Sequence, residues 1–220
     1  MARTDAIIVS AGVGSRFGGE IPKQYVHVLG RQIIDWTIDA FLQAEEIDRI
    51  ILVVSGAYRE QFEVNPHVDC VVTGGATRME SVLNGRNFSS AYFVAVHDGA
   101  RPLVMSERID AVARVAYAKD AAILAHAVNE TVKRVQDNVI VDTPNRAELY
   151  LARTPQVFCR QLLKKALESL PAGLIPTDDA QAVELLGTQV HIVQDSPDNI
   201  KITYPQDVFL AERVLSMRIG

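Results

Sequence analysis

Short, unbroken apolar runs constrain what this chain can fold into more than any other feature of its sequence. They recur through its first half, and stretches of helical periodicity separate them. The runs are Ala6–Val9, Ile50–Val54, Cys70–Val72, Tyr92–Val96 and Ala121–Leu124. A strand whose two faces are both buried needs an unbroken apolar run rather than an alternating one. The pattern therefore predicts a parallel sheet with helices on both faces, which is a doubly wound α/β fold.

The segments between and after these runs have helical or strand-like patterns. Apolar residues from Ile33 to Phe41 recur at helical spacing, and Thr77 to Glu80 has the form of a capping box. The last third of the chain continues the alternation of elements. Its predicted elements are a helix at 177–186, strands at 190–193 and 200–203, and a closing helix whose first turn contains Pro205.

The alternation breaks between Thr131 and Phe158. Short strand-like pieces surround the turn dipeptide Asp137-Asn138, and no long helical pattern intervenes. Segment 131–158 is therefore predicted to be a β-hairpin arm that projects from the sheet. It has too few apolar residues to be stable alone, so we expect it to pack on another surface, most simply by exchange with a second copy about a two-fold axis.

Composition limits the classes of partner. The 220 residues are 48% hydrophobic, which fits a single domain over 1–220. The 22 basic and 27 acidic residues form no basic run, so neither nucleic acid nor a membrane is an expected partner. Cys70 and Cys159 have no metal-type spacing and indicate reduced thiols in a cytoplasmic protein. No export signal is recognised, because the apolar stretch Ala6–Val9 is short and lacks the flanks of one.

A glycine-rich segment follows the first predicted strand. It reads Ser10-Ala11-Gly12-Val13-Gly14-Ser15-Arg16-Phe17-Gly18-Gly19, and Pro22-Lys23-Gln24 follows it. Glycines let backbone N–H groups approach phosphates closely, so the segment indicates nucleotide binding. It is neither a dinucleotide fingerprint, since Phe17 stands where the third glycine is needed, nor a Walker loop, since no Ser or Thr follows Lys23 directly.

Charged residues after the first and fourth predicted strands indicate group transfer. Arg16 and Lys23 can reach one polyphosphate if the loop folds back, although solvated surface cations are the plainer interpretation of the loop alone. The fourth strand ends in His97-Asp98-Gly99-Ala100-Arg101-Pro102. Ligands of open parallel sheets bind beyond the carboxyl ends of strands, where Asp98 can hold Mg²⁺ and Arg101 a phosphate. The alternative for Asp98 is an Asx turn with Arg101 as its partner, and His97 receives no catalytic role.

Seven ordered blocks make the sequence resemble the 2-C-methyl-D-erythritol 4-phosphate cytidylyltransferases of the non-mevalonate isoprenoid pathway. The blocks are the loop with Pro22-Lys23-Gln24-Tyr25, Gly74–Val82, His97–Pro102, Thr131–Lys133, Thr154–Gln156, Thr177–Ala180 and Asp198–Thr203. The resemblance implies a Rossmann-like, mostly parallel nucleotidyltransferase sheet that carries the arm. It also implies transfer of CMP from CTP to 2-C-methyl-D-erythritol 4-phosphate, with release of pyrophosphate, in a Mg²⁺-dependent homodimer.

The resemblance implies roles for the matching positions. The implied catalytic residues are Arg16, Lys23 and Lys201. The implied CTP-binding residues are Ser10, Ala11, Gly12, Gly14, Gly75, Ala76, Ser81, Asp98 and Gly99. The implied acceptor-binding residues are Arg101, Thr131, Arg146, Thr154, Thr177 and Lys201. Asp98 is the implied metal ligand, with Asp198 as a second one, and Arg146 would serve the site of the partner subunit.

Simpler and rival interpretations remain open from the sequence. Thr77 and Thr177 both stand where helix N-caps are needed. The stretch Pro144-Asn145-Arg146 resembles ribitol-5-phosphate cytidylyltransferases more than the methylerythritol enzymes, so a polyol phosphate is the alternative acceptor. A nucleotide-binding module without catalysis is disfavoured, because a pure binder has no need for a metal carboxylate facing cationic residues. Two small departures from the family motif are Ser10, where Ala is usual, and Gly99, where Ala or Ser is usual.

Overall fold

The computed structural model describes residues 4–12, 14, 16–18 and 21–219. Loop residues Val13, Ser15 and Gly19, which belong to the predicted phosphate loop, lie outside these ranges, as do the chain ends 1–3 and 220. The strands are β1 (Thr4–Ser10), β2 (His27–Val28), β3 (Arg31–Gln32), β4 (Arg49–Val54), β5 (Cys70–Thr73), β6 (Phe93–Asp98), β7 (Ala121–Ala127), β8 (Arg134–Gln136), β9 (Val139–Asp142), β10 (Tyr150–Cys159) and β11 (His191–Gln194). The helices are α1 (Ile33–Leu42), α2 (Arg59–Glu63), α3 (Arg78–Asn87), α4 (Ser106–Lys119), α5 (Arg160–Glu168), α6 (Asp179–Glu184) and α7 (Pro205–Ile219).

A seven-stranded sheet in the order β11-β7-β10-β6-β1-β4-β5 forms the centre of the fold. Neighbouring strands are parallel, except that β10 runs antiparallel to both β6 and β7. Strands β2–β3 and β8–β9 form two separate two-stranded sheets. The predicted α/β fold with a mostly parallel, doubly wound sheet is thus confirmed.

The unbroken apolar runs form strands that are covered on both faces. In β1, Ala6 and Ile8 pack into a cluster with α1 and α4, whereas Ile7 packs into a cluster with α3, α5 and α6. All three side chains are fully buried. Since burial of an aliphatic side chain contributes about 1.5–3 kcal/mol, a charge on either face of β1 would be strongly destabilising.

The sheet changes direction between β1 and β6. From β1 the chain continues outward to β4 and β5 on one side, and then returns to β6 on the other side. Val9 near the end of β1 is paired with Asp98 at the end of β6. Such a switch point leaves a crevice at the carboxyl ends of the two strands, where α/β proteins bind ligands.

The exposed hairpin is shorter than the predicted arm. It consists of β8 and β9, and its turn residues Asp137 and Asn138 both have positive φ, at 49° and 62°. Segment 150–158 was wrongly assigned to the arm, because it lies in β10 within the central sheet. Polar residues such as Arg153 and Gln156 interrupt the apolar run that would have indicated a buried strand. In the structure both side chains are buried and make specific hydrogen bonds.

Three local predictions need a similar correction. Segment 200–203 is not a strand of the sheet; it is an extended segment attached by a hydrogen bond from the Ile202 N–H to the Ala100 carbonyl (2.9 Å). Helix α6 has Asp178 rather than Thr177 as its N-cap. Thr77 does cap α3, but Glu80 accepts from the Ala76 N–H instead of completing the predicted capping box.

Ser10 and Gly99, the two residues that depart from the family motif, are in contact in the structure, and the larger side chain at position 10 is matched by the missing one at position 99. The Ser10 hydroxyl is buried and makes no hydrogen bond to the described residues. A Cβ added at Gly99 would lie 1.9 Å from Ser10 Oγ, closer than two such atoms can approach. The hydroxyl of Ser10 therefore occupies the space that a side chain at position 99 would need.

We predict that Gly99→Ala destabilises the fold by about 1–3 kcal/mol, the usual cost of overpacking an interior. The double variant Ser10→Ala/Gly99→Ala should recover part of that loss, because it removes the clashing oxygen, whereas Ile34 Cδ1, 2.8 Å from the added Cβ, must still shift. Urea unfolding of both proteins, with Ser10→Ala as the control, measures the difference. Equal destabilisation of the single and double Gly99 variants would contradict the proposed contact.

Candidate active site

A cavity of about 490 Å³ opens at the carboxyl ends of β1 and β6. Most of the predicted nucleotide and catalytic residues line it. They are Ser10, Ala11, Gly12, Gly14, Arg16, Lys23, Gly75, Ala76, Ser81, Asp98 and Lys201. Four separate segments of the sequence thus meet at one crevice, which the glycine-rich loop alone could not have established.

Gln24 holds the loop against the end of β1. Its Nε2 donates to the carbonyl oxygens of Ser10 (2.7 Å) and Gly12 (2.8 Å), and the Tyr25 hydroxyl donates to Ser10 (3.2 Å). Gly14 has φ +68°, and a Cβ at this position would meet the side chain of Lys23 at 3.4 Å. The Pro-Lys-Gln-Tyr stretch therefore folds back over the loop, as the sequence required if Lys23 was to reach a phosphate.

The charge environment of the Lys23 ammonium favours the binding of an anion. Burial, with the nearby charge of Lys201, lowers the pKa of Lys23 to about 8, and the attraction of Asp98 only partly opposes this shift. A lowered pKa of a lysine means that its positive charge is poorly compensated in the free protein. A bound polyphosphate would supply the missing negative charge.

Asp98 lies at the centre of a cationic cluster. Lys201 Nζ is 2.9 Å and Arg101 Nε is 3.4 Å from its Oδ2, and Arg78 Nε is 3.3 Å from its Oδ1. Although burial alone would raise it, these cations hold the pKa of Asp98 well below its usual range. Because one carboxylate cannot neutralise three cations, the cluster keeps excess positive charge even though Arg78 has a second partner in Asp179 (2.8 Å).

A second cavity, of about 280 Å³, adjoins the first across this cluster. The two cavities share Arg78, Asp98 and Lys201 in their walls. The predicted acceptor residues that line the second cavity are Arg101, Thr154, Thr177 and Lys201. Two ligands can therefore occupy neighbouring spaces with the cationic cluster between them.

Thr154 fixes the end of β6 from the neighbouring strand. Its Oγ1 accepts from the Asp98 N–H (3.1 Å). The Arg101 carbonyl can only accept, so His97 Nε2 carries the proton of the neutral ring and donates to that carbonyl (3.3 Å), and His97 Nδ1 accepts from the Thr154 hydroxyl (3.0 Å). Burial lowers the pKa of His97 to about 3, so the ring stays neutral. His97 supports the backbone of the site and lines neither cavity.

The turn at 75–77 forms another part of the wall of the larger cavity. Ser81 Oγ accepts from the Gly75 N–H (3.1 Å) and donates to the Thr77 carbonyl (2.9 Å). A Cβ at Gly75 would lie 2.3 Å from the Cβ of Glu80. The Ser81 hydroxyl therefore braces the turn, and only the small size of Gly75 allows this close approach.

Four predicted site residues lie away from the described walls of both cavities. Thr131 is exposed, and Arg146 is exposed with its Nη1 donating to the Asn129 carbonyl (2.9 Å). Asp198 pairs with Arg218 (3.5 Å) rather than joining Asp98. Gly99 is buried behind the cavity wall, where its carbonyl accepts from Thr37 (3.1 Å).

Sequence reasoning missed two arginines that the structure brings to the site. Arg78 borders both cavities, although only Gly75, Ala76 and Ser81 of its block had been given a role. Arg153 lines the second cavity within β10. The apolar pair Val157-Phe158 indicates a buried strand, and a charged residue such as Arg153 within that strand would have indicated a site. The strand itself was not recognised from the sequence, so this signal was missed.

The comparisons with known proteins agree with this geometry. The model of the family described as 2-C-methyl-D-erythritol 4-phosphate cytidylyltransferase (IspD) matches residues 4–217. The chain belongs to this family. A cytidylyltransferase of that name from Haemophilus influenzae (strain PittEE) is 40% identical over 217 residues, which are 96% of each chain. One from Alteromonas mediterranea is 41% identical over 226 residues, covering 99% of this chain and 95% of the relative.

Solved structures of IspD enzymes have the same fold. The 4-diphosphocytidyl-2C-methyl-D-erythritol synthase of Anaerococcus prevotii superposes with a TM-score of 0.88 at 30% identity, covering 98% of this chain and 96% of that one. The IspD of Francisella tularensis gives a TM-score of 0.79 at 33% identity, covering 96% and 99%. The resemblance inferred from the seven sequence blocks is confirmed.

We predict that kcat/KM for CTP falls as pH rises through about 8, the pKa of Lys23 in the free protein. Lys23 is charged below this pH and neutral above it, and kcat/KM reports the ionisation of the free enzyme. Lys23→Arg should move the fall to higher pH, since a guanidinium keeps its charge. The same fall in both proteins would contradict the assignment to Lys23.

Proposed function

We propose that the larger cavity binds CTP and the smaller one 2-C-methyl-D-erythritol 4-phosphate, so that the cytidylyl group is transferred across the shared cationic cluster. Cytidylyl transfer between these substrates is the reaction of the family to which the chain belongs. The observation that carries the assignment is the excess positive charge around Asp98 at the junction of the two cavities. Both substrates present phosphates, and the reaction joins them.

The triphosphate of CTP would lie along the loop. Arg16 and Lys23 both line the larger cavity, as do Gly12 and Gly14, which have no side chain to keep a ligand from the backbone. Negative charge accumulates on the equatorial and leaving oxygens as the α-phosphorus is attacked. Fixed cations stabilise that charge most strongly where water is excluded, so Lys23 would act mainly in the transition state.

The acceptor would attack from the smaller cavity. One of its phosphate oxygens forms the new bond to the α-phosphorus of CTP, the bond to the β-phosphate bridging oxygen breaks, and pyrophosphate leaves. Lys201 and Arg101 are placed to hold this phosphate close to the α-phosphate and to reduce the repulsion between the two anions. A phosphate dianion needs no general base, which agrees with a neutral, enclosed His97.

Mg²⁺ is the proposed cofactor, with Asp98 as its protein ligand. Asp98 is the one carboxylate among the described residues that line the larger cavity. Mg²⁺ in nucleotide sites takes one or two carboxylates together with phosphate oxygens and water. The donor set therefore fits an ion that arrives with the triphosphate. When bound, it would neutralise phosphate charge and polarise the phosphorus centre.

The second copy of the chain is proposed to complete the acceptor site. The hairpin presents Val135, Val139, Ile140 and Val141, each more than half exposed. Such an apolar surface is stabilised by exchange of hairpins about a two-fold axis. Thr131 and Arg146 would then reach the acceptor of the partner subunit, which explains why they lie away from the cavities of their own chain.

A cytoplasmic location is part of this proposal, and the two free cysteines support it. Among the described residues, no helix is long and apolar enough to cross a membrane.

The acceptor is tested by offering two polyol phosphates in parallel. We predict that pyrophosphate release from CTP and Mg²⁺ has a kcat/KM about tenfold or more higher with 2-C-methyl-D-erythritol 4-phosphate than with ribitol 5-phosphate, as a pocket shaped for one acceptor gives. The stretch Pro144-Asn145-Arg146 is the one observation that favours ribitol 5-phosphate. A preference for ribitol 5-phosphate would replace the proposed acceptor while leaving the cytidylyl transfer intact.

Exchange of Arg146 between subunits has a specific kinetic signature. Lys23→Ala and Arg146→Ala should each lower turnover by about 10² or more. When the two proteins are refolded together, each mixed dimer contains one site without either change, so about a quarter of the sites should be active. A mixture of wild type with Lys23→Ala, treated in the same way, should keep half of its sites active whether or not subunits exchange, so it measures the yield of refolding. Failure to regain activity in verified mixed dimers would show that Arg146 does not act in the site of the partner subunit.

A further inference from the structure

Arg153 is a buried arginine whose hydrogen-bonding capacity is largely unused. It lies in β10 with 8% of its surface exposed, and it forms part of the wall of the smaller cavity. Its Nη1 donates to the carbonyl oxygens of Ser196 and Pro197, both at 3.2 Å. Its Nε and Nη2 make no hydrogen bond to any described residue, and both keep some accessible surface. These two nitrogens are therefore available to a ligand in the cavity that Arg153 lines.

The charge of Arg153 is also uncompensated. No described carboxylate lies within salt-bridge distance of it. Asp195 attracts the charge of Arg153 more than any other carboxylate does, but its oxygens accept from Asn199 Nδ2 (2.7 Å) and the Ser196 N–H (2.8 Å). Burial accordingly lowers the pKa of Arg153. A desolvated cation bonded only to carbonyl groups is unfavourable unless an anion joins it.

We propose that Arg153 binds the phosphate of the acceptor in the smaller cavity, beside Arg101 and Lys201. A guanidinium with two free donors matches two oxygens of one phosphate, whereas a hydroxyl group would leave the charge uncompensated. This inference rests on the proposed function, because it identifies the anion in the smaller cavity with the acceptor phosphate. It adds a binding residue from the same chain to a site that also needs the partner subunit.

A purely structural role for Arg153 is the competing explanation. In that case the side chain would only attach β10 to segment 195–199 through its two carbonyl contacts. Loss of such an anchor would lower thermal stability and affect both substrates together. Loss of a phosphate ligand would instead raise the KM of the acceptor and leave the KM of CTP unchanged.

The test compares Arg153→Gln and Arg153→Lys with a matched control. Arg86→Gln serves as the control, because Arg86 is also buried and bonded to a backbone carbonyl, that of Arg160 (3.4 Å), but lines neither cavity. We expect Arg153→Gln to raise the KM for 2-C-methyl-D-erythritol 4-phosphate about tenfold to a hundredfold, the range for a lost charge-assisted hydrogen bond. The KM for CTP should stay within about twofold, and Arg153→Lys should recover part of the loss.

Salt dependence gives a second readout that a structural anchor would not move. The acceptor KM of the wild type should rise more steeply with ionic strength than that of Arg153→Gln, because one charge contact is missing from the variant. An unchanged acceptor KM in Arg153→Gln, or the same rise in Arg86→Gln, would overturn the role of Arg153 and leave the proposed function standing.

A direct binding measurement separates the two proposals. If the wild type fails to turn over 2-C-methyl-D-erythritol 4-phosphate, the proposed function fails, and inorganic phosphate becomes the probe. Stabilisation of the wild type by inorganic phosphate that is reduced in Arg153→Gln but not in Arg86→Gln would still support Arg153 as a phosphate ligand. The same stabilisation in all three proteins would overturn it.

Discussion

The carboxylate of Asp98 is the interaction on which the candidate site depends. It lies at the end of a strand that is buried throughout its length, and three cations from different parts of the chain converge on it. Without Asp98, the repulsion among Arg78, Arg101 and Lys201 would oppose their close approach. With it, the three cations lie close together and the cluster still keeps excess positive charge, which favours the binding of two phosphorylated substrates side by side.

The fold supplies this arrangement by bringing strand ends together at the switch point. The glycine-rich loop follows β1, and Asp98 and Arg101 lie at the end of β6. Thr154 of the antiparallel β10 lies next to them. Gln24 then ties the loop back to the end of β1, which carries Lys23 over the crevice. The burial of apolar side chains stabilises the sheet, while these polar contacts set the positions of the charges at its edge.

The sequence predicted those parts of the molecule that leave a local pattern. Runs such as Ile50–Val54 indicated the buried strands, and the glycines with Lys23 and Asp98 indicated the nucleotide crevice. Strand β10 was missed because Arg153, Thr154 and Gln156 make it look polar, and their burial depends on partners far away in the chain. The position of Arg78 was equally inaccessible, since its two carboxylates lie 20 and 101 residues away. The close contact between Ser10 and Gly99 could not be predicted either, because the two residues are distant in the sequence and adjacent only in the fold.

Turnover by Asp98→Asn, measured as pyrophosphate release over a range of Mg²⁺ concentrations, tests the central role of this carboxylate most directly. Asparagine has nearly the same shape but can neither neutralise the cluster nor ligate Mg²⁺ strongly. We predict that the variant remains folded by circular dichroism, loses about 10² or more in kcat, and is not rescued by added Mg²⁺. Near-normal kcat with the wild-type dependence on Mg²⁺ would contradict the assignment of Asp98 as the charged centre of the active site.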